Sequence, residues 1–432
     1  MRRTRRAAVL SVATVSLITL AACGGGGNGG DGGAGGGADA GSFTVLSNVE
    51  NEVVPAALKT LASGACSAEN EAMPVEIDTV PQANSDQQVQ LLAGQGGLPN
   101  MYTVGTPQLT QQLAESGSVA DLSAAFEELG ISDSIEPAAL STVESLYGGF
   151  NVLPTEYNVE GIWYNKQAFE ENGVEVPETW DDLVDAAGTF KDAGLTPFSA
   201  SGEQGWPITR LLGSYIVRDL GPEALNKVRD GEAKLTDPEY VEAAQKVADL
   251  GAEGYFGEGV SSIDYDTSIN QFLNGTAPML YMGSWVLSNF ADEETNQIGS
   301  ENIGFMPFPN VDGGEGDSSQ LVANVGQPFT VTPATVETDE GKAWIKCIAE
   351  NYGSVALGDS SRISGFKVNE EVEVDELTQT IQDQLATTDT TVPWFEAYFS
   401  PKATTTSQQN AAQLVTGGMS AEDFMSLVQG DL

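Results

Sequence analysis

The sequence predicts an α/β protein with two domains, and three observations lead to this prediction. Strand and helix patterns alternate along the chain from residue 42 onward, which is typical of α/β folds. Helix start signals are clear, and scattered glycines and prolines mark the turns between elements. The chain has 432 residues, of which 41% are hydrophobic, so it can bury more than one core.

The first 22 residues are typical of an export signal. Met1–Arg6 contains four arginines, and the uncharged run Ala7–Ala22 follows. This run is shorter than the about 20 residues that a membrane-spanning helix needs, and small residues end it. We therefore interpret residues 1–22 as a cleaved signal peptide.

The next segment combines a cysteine with a glycine tract. Leu20-Ala-Ala-Cys23 resembles the lipobox of bacterial lipoproteins, in which the cysteine becomes the first residue and carries lipid. Several acyl chains give firm membrane anchoring. Twelve of the 18 residues from Gly24 to Gly41 are glycine, which indicates a flexible tether. The resemblance implies that residues 23–41 are a lipidated Cys23 and its tether, at the extracellular face of the cytoplasmic membrane.

A βαβ unit opens the globular part. Ser42–Ser47 has the pattern of a short strand, and apolar residues at helical spacing follow Asn48. Pro74–Val80 is predicted to be a second strand, followed by a helix over Asp86–Ala93. We expect the two helices to cover a parallel sheet.

Helices further along the chain have recognisable first turns. Thr179–Asp182 has the form of a capping box, with Asp182 in the place of the usual glutamate. Asp237-Pro238 starts another helix with proline at its first position. Ser420 is the expected N-cap of a final helix.

Charge and histidine content exclude several functional classes. The formal net charge is −44, which repels nucleic acid, so we expect no nucleic-acid partner. The sequence contains no histidine, which rules out Ser-His-Asp catalysis, histidine-ligated zinc and histidine acid–base chemistry. We expect neither a metal site nor a cofactor.

Two cysteines follow Cys23, namely Cys66 and Cys347. Outside the cytoplasm an even pair favours a disulfide. Two separate buried cysteines that act as small hydrophobic residues are the alternative. The pattern around Cys347 does not decide between them.

Several segments in the middle of the chain agree with one known pattern. Gly161–Phe169, Asn172-Gly173 and Pro177–Leu183 contain its Tyr-Asn-Lys, Phe, Gly and Pro-x-Thr-Trp residues. This resembles the signature of extracellular solute-binding proteins of bacterial ABC importers, in the sugar-binding family related to maltose-binding protein. Further agreeing segments, in the family's order, are Leu91–Asn100, Gly194–Phe198, Trp206, Phe272–Gly275, Gly283–Trp285, Gly304–Pro309 and Leu414–Leu432.

The resemblance implies a two-lobe periplasmic-binding-protein-like fold of type II, with ligand held in a cleft between lobes. The N-lobe would comprise residues 42–154 plus 284–331, and the C-lobe residues 155–283 plus 332–432. The chain would cross between lobes near Leu153–Tyr157, Met282–Trp285 and Val331–Pro333. Lobe closure around a ligand is a hinge motion.

The same resemblance implies a receptor and not an enzyme. It would capture a sugar, in our interpretation an oligosaccharide, and deliver it as a monomer to the transmembrane permease subunits, which a cytoplasmic ATPase drives. A receptor for a cation such as a polyamine or a choline-like compound is the alternative, because aromatic and acidic residues can enclose a cation. A surface adhesin with the same anchor is a further alternative.

Candidate ligand-binding residues follow from what a sugar needs, namely aromatic platforms and polar side chains for its hydroxyls. Trp285 belongs to a Gly-Ser-Trp motif at an expected crossing, and Trp206 follows a polar loop. Glu156 and Asn158 lie near the first crossing. Packing in the hinge or core is the competing role for these side chains.

Two further groups complete the set of candidates. Asn48, Glu50 and Asn84 follow the first two strands, where open α/β sheets bind ligands. The resemblance also implies contacts from the C-terminal region, for which the candidates are Arg362, Trp394 and Glu396.

Overall fold

The computed structural model describes residues 41–326, 328–386, 388 and 391–432. The expected signal peptide, Cys23 and the tether up to residue 40 lie outside these residues. Within the described part of the chain, no helix combines the length and the apolar character needed to cross a membrane.

The described residues form two mixed α/β lobes. The strands, β1 to β10 in chain order, are Phe43–Asn48, Val75–Val80, Met101–Thr103, Asn158–Asn165, Phe198–Ser199, Met279–Gly283, Ile303–Met306, Leu321–Asn324, Phe329–Val331 and Thr391–Val392. The helices, α1 to α18, are Val53–Ser63, Ser67–Ala72, Gln82–Gln95, Pro107–Glu115, Leu122–Leu129, Pro137–Tyr147, Lys166–Asn172, Trp180–Asp192, Trp206–Leu220, Ala224–Arg229, Pro238–Ala252, Tyr265–Leu273, Leu287–Phe290, Pro333–Glu337, Asp339–Ser360, Glu376–Ala386, Pro401–Val415 and Ala421–Gln429. Strands alternate with helices in both lobes, which confirms the α/β prediction.

The first lobe is built on a four-stranded sheet in the order β2-β1-β3-β9. β1 runs parallel to β2 and β3, whereas β9 is antiparallel to β3. The predicted βαβ unit is confirmed, because α1 connects the two parallel strands and α3 follows the second. Phe43 and Val45 face a core under α1, and Leu46 faces a separate apolar cluster with Val89 of α3.

The second lobe contains a larger sheet in the order β10-β8-β4-β6-β5, and β7 also pairs with β4. β4 is the central strand, because it pairs antiparallel with β6, β7 and β8. Helices α8, α9, α11, α17 and α18 pack around one core on this sheet. The predicted helix starts are confirmed at Thr179, whose side chain completes a capping box, at Pro238 and at Ser420.

Cys66 and Cys347 form a disulfide, with 5.8 Å between their Cα atoms. It links α15 to the segment between α1 and α2, and Trp344 of α15 stacks on Phe43 at a ring distance of 5.0 Å. Helix α15 therefore belongs to the first lobe.

The lobe boundaries expected from the sequence need correction in two places. Residues 303–324 were expected in the N-lobe, but β7 and β8 pair with β4 of the second sheet. Residues 339–360 were expected in the C-lobe, but α15 packs on α1. Strand pairing and helix packing, which the sequence pattern does not record, decide both assignments.

Within the residues that the structure describes, the chain passes between the lobes at three places. The first lies at 153–157, as expected, because Leu153 bridges to Phe329 of β9 before β4 begins. The second joins β8 to β9, slightly before the expected Val331–Pro333. The third joins α15 to α16, and the expected crossing at Met282–Trp285 is wrong because β6 leads through α13 to β7 of the same sheet.

Candidate functional site

Three tryptophans and one arginine meet at one edge of the second sheet. Trp206 is the first residue of α9, and Arg210 lies one helical turn later. Trp285 follows the end of β6, and Trp394 follows the end of β10. We call these four side chains the tryptophan cluster.

Local backbone features explain how two of the tryptophans reach this position. Gly205, before Trp206, has φ of 73°, and a Cβ atom there would lie 1.9 Å from the Gln408 carbonyl oxygen. A Cβ atom on Gly283 would lie 2.0 Å from the Trp285 ring. Gly205 therefore permits the close approach of α17, and Gly283 permits the close approach of the Trp285 ring.

The Arg210 guanidinium lies among the indole rings. Its Cζ atom is 5.1 Å from the ring centre of Trp394, 5.4 Å from that of Trp206 and 6.0 Å from that of Trp285. The Trp206 and Trp285 rings are 5.7 Å apart, and Tyr265 lies 5.9 Å from Trp206. All three indoles are half-buried. The cluster thus presents partly exposed aromatic surface whose rings are held around a cation.

Glu160, on the central strand β4, forms an ion pair with Arg210 of the cluster. Its carboxylate accepts hydrogen bonds from Arg210 Nη1, from Asn324 Nδ2 at 2.8 Å and from the Tyr281 hydroxyl at 3.3 Å. Glu160 is only 2% exposed. Burial raises the pKa of this carboxyl, and Arg210 opposes that rise.

Glu396 is a second buried carboxyl beside Arg210. It accepts a hydrogen bond from Thr209 and a longer one, 3.5 Å, from Ser407. Its Oε2 atom lies 3.9 Å from Arg210 Nε, and neither atom has a hydrogen-bond partner among the described residues. Burial raises the pKa of Glu396, Arg210 and Thr209 lower it, and the nearby Glu160 adds to the rise.

The chain crossings bring further polar residues to Trp285. Arg362 Nη1 donates to the Trp285 carbonyl oxygen at 2.8 Å. Burial raises the pKa of Glu156 at the first crossing, and the charge of Arg362 opposes this rise. Asn158 accepts a hydrogen bond from Ser284 at 3.3 Å. These predicted residues therefore lie around one tryptophan.

The predicted residues of the first lobe occupy a different edge. Asn48 ends β1 and is buried, whereas Glu50 and Asn84 are exposed. The Glu50 carboxylate accepts a hydrogen bond from the Gln82 N–H at 2.9 Å. These side chains are at the carboxyl ends of β1 and β2 and do not join the tryptophan cluster.

Buried hydroxyls at the same edge were not predicted. The Oγ atoms of Ser47 and Ser85 and the Oγ1 atom of Thr103 have no hydrogen-bond partner within the described residues. Ser47 is in β1, Thr103 ends the neighbouring β3, and Ser85 is in the first turns of α3. This edge of the first sheet therefore has unused hydrogen-bonding capacity.

The sequence predicted the three tryptophans of the cluster but not Arg210, which lies among them. The predicted residues that the structure brings together are Trp206, Trp285, Trp394, Glu156, Asn158, Arg362 and Glu396. Arg210, Glu160, Tyr265, Tyr281 and Asn324 were not predicted. Arg210 had one usable signal, because it lies four residues after Trp206 on an apolar helix in a chain with 18 basic residues among 432.

The four side chains of the tryptophan cluster are each half-buried. A cavity of about 400 Å³ lies elsewhere, between Ala138, Leu357, Phe366 and Leu385 near the third crossing. No group of three or more His, Cys, Asp or Glu side chains in the described part of the chain could hold a metal ion. The arrangement suits binding of a neutral polar molecule with apolar faces.

Comparison with known proteins gives a family match. A family model described as "Bacterial extracellular solute-binding protein" matches residues 53–352. Among solved structures, one titled "Chitin oligosaccharide binding protein" is 26% identical and has a TM-score of 0.78, with 90% of this chain and 97% of that chain covered. One from work on xylan utilisation by Caldanaerobius polysaccharolyticus is 21% identical, with a TM-score of 0.77 over 90% of this chain and all of that chain. The latter likeness concerns the fold alone.

Curated relatives match over shorter segments. The multiple sugar-binding protein of Streptococcus mutans is 29% identical over 169 residues, which cover 38% of this chain and 39% of the relative. The sn-glycerol-3-phosphate-binding periplasmic protein UgpB of Escherichia coli is 27% identical over 219 residues, 48% of this chain and 47% of the relative. The chain thus spans less than half the length of these relatives.

Glu396→Gln should make stability less dependent on pH. Because burial raises its pKa, the folded protein holds a proton at Glu396 where the unfolded chain has lost it. The stabilisation is present below the unfolded pKa and is lost as pH rises through the folded pKa. We expect the melting temperature of the variant to fall less steeply as the pH rises above about 4, the ordinary pKa of a glutamate. The exposed Glu175→Gln is the control, and equal slopes for all three proteins would contradict the prediction.

Proposed function

Because the chain belongs to the bacterial extracellular solute-binding proteins, we propose that it is the sugar-binding receptor of an ABC importer. The observation that carries the proposal is the tryptophan cluster, whose half-buried rings lie at a sheet edge of a two-lobe fold. A sugar ring packs its C–H face on such surfaces and places its hydroxyls on polar side chains at the rim. The relatives named for sugar binding support this assignment.

An oligosaccharide fits the cluster better than a single sugar. The Trp206 and Trp285 rings are inclined at 61° to each other, so the indoles near Arg210 do not form one flat platform. Each indole can stack on one sugar ring, and several rings in a chain would use several indoles. We propose that the first-lobe residues Asn48, Glu50 and Asn84 contact the sugar from the opposite side of the cleft.

The charges of the site disfavour the cationic alternative. A polyamine or choline-like ligand needs a site of negative potential beside its aromatic rings. Arg210 already lies against the three indoles, so a second cation would meet like charge there. Glu160 and Glu396 are buried on Arg210 and are not available to an incoming ligand.

Delivery to a membrane permease and lipid anchoring are further parts of the proposal. Three chain crossings join the lobes, which is an arrangement that permits hinge closure around a ligand. The lipobox-like Leu20–Cys23 and the glycine tract support an anchored receptor that stays close to its transporter. The protein would act as a monomer at the extracellular face of the cytoplasmic membrane.

A thermal-shift screen tests the ligand class. Xylotriose, chitotriose, raffinose, stachyose, galactose, sn-glycerol 3-phosphate, spermidine and choline would be added separately to the protein. A ligand that binds only the native state stabilises it by about 2.7 kcal/mol at a hundredfold excess over the Kd. We expect a raised melting temperature with a neutral oligosaccharide. A shift with spermidine or choline alone would overturn the sugar assignment.

Trp285→Ala should weaken binding of the oligosaccharide that gives the largest shift. Loss of a stacking indole costs roughly 1–3 kcal/mol, including the stacking and the buried area. The Kd would be measured by titration calorimetry. Tyr164→Ala is the control, because Tyr164 is a half-buried aromatic residue of the same lobe outside the cluster. An unchanged Kd in a folded Trp285→Ala protein would remove Trp285 from the binding site.

Cys23→Ala should release the protein from the membrane. The variant lacks the thiol that would carry lipid, whereas Cys66 and Cys347 are paired and remain. Metabolic labelling with radioactive palmitate and cell fractionation would follow both proteins. We expect label and membrane association only in the wild type. A labelled Cys23→Ala protein would refute the anchor at this residue.

A further inference from the structure

We propose that Glu160 and Asn324 are positioning residues that tie the tryptophan cluster to two of the chain crossings. The inference rests on the proposed function, because it takes the cluster to be the ligand surface. It goes further by assigning a route through which the relative position of the lobes sets the position of the indole rings.

The route begins at Glu160. Its Oε1 atom accepts hydrogen bonds both from Arg210 Nη1 and from Asn324 Nδ2, the latter at 2.8 Å. Arg210 lies within 6.0 Å of the ring centre of each tryptophan in the cluster. Because Glu160 is 2% exposed, water cannot readily replace either partner. The place of Arg210, and with it the spacing of the indoles, therefore depends on Glu160.

The route continues from Asn324 to Asn158. Asn324 Oδ1 accepts a hydrogen bond from Asn158 Nδ2 at 3.4 Å. Asn324 is the last residue of β8, directly before the second crossing, and Asn158 is the first residue of β4, directly after the first crossing. These two amides thus connect Glu160 to the points at which two crossings leave the second sheet.

The two crossings are in close contact at this point. A Cβ atom on Gly326 would lie 2.7 Å from Asn158 Nδ2 and 2.8 Å from Glu156 Oε2. Glycine permits the approach, and a shift of either crossing would displace Asn158 or Asn324. Ser284 joins the same network, since it donates to Asn158 and lies next to Trp285. A change in the hinge therefore reaches Arg210 through Glu160 and reaches Trp285 through Ser284.

Glu396 offers a contrast within the same cluster. It also lies beside Arg210, but its hydrogen-bond donors, Thr209 and Ser407, are on α9 and α17 of the second lobe. Among the hydrogen bonds of the described residues, those on the Glu160 side of Arg210 lead to the crossings. Glu160 is therefore connected to the hinge by hydrogen bonds, whereas Glu396 is bonded to helices of the second lobe.

Acrylamide quenching of tryptophan fluorescence tests the inference without any sugar. Trp163, Trp180 and Trp344 are at most 5% exposed, so quenching reports mainly on the cluster. In the described part of the chain, the side chain of Asn324 bonds Asn158 and Glu160 and not an indole, yet Asn324→Ala should increase the quenching constant. Asn165→Ala is the matched control, because Asn165 is an equally buried asparagine at the far end of β4 that caps α7. It should leave the quenching constant unchanged.

The double variant Asn158→Ala/Asn324→Ala distinguishes one route from two independent losses. If both amides act in series, the double variant should be quenched no more than Asn324→Ala alone. Additive increases, equal increases for Asn324→Ala and Asn165→Ala, or no increase for Asn324→Ala would each overturn the inference. Should Asn324→Ala not fold, Asn324→Ser, which is too short to join both partners, takes its place. Because no sugar is used, a failed ligand screen leaves the result interpretable.

Discussion

The architecture of the site depends on keeping one arginine charged among aromatic rings. A guanidinium removed from water needs a carboxylate with good hydrogen-bond geometry, otherwise its desolvation is not offset. Glu160 meets this need from the central strand β4, and Arg210 in turn lies against three indoles. Each cation–π contact contributes about 0.5–2 kcal/mol, so the rings are stabilised together and not singly.

This requirement also determines which elements must meet. Glu160, which binds Arg210, pairs with Gly283 of β6 and with Val322 of β8. Its strand β4 is therefore flanked by β6, which is followed by Trp285, and by β8, which ends at Asn324. Helix α9 brings Trp206 and Arg210 one turn apart over that strand. A ligand surface built on a central strand and a helix is more rigid than one built on loops.

The sequence predicts local structure and aromatic candidates better than it predicts partners. Strand and helix patterns, the Thr179 cap and the residues Trp206, Trp285 and Trp394 follow from spacing, turn chemistry and motif resemblance. The partners of Arg210 do not, because Glu160 and Asn324 are 164 residues apart and meet only through antiparallel pairing of β4 with β8. The predicted lobe boundaries were wrong for the same reason. The residue pattern of a strand indicates which of its faces is buried and not which sheet it joins.

The disulfide has a consequence for the order in which the protein is made. The first lobe takes its first three strands from residues 43–103, but its fourth strand and the helix that covers Phe43 come from residues 329–360. Cys66 must therefore wait for a partner that is synthesised 281 residues later. Until then the N-terminal part of the chain has an unpaired strand edge and an uncovered apolar face, which are features that favour aggregation. The lobe that is translated first is consequently among the last parts to be completed, and the whole second sheet up to β8 is synthesised while it remains open.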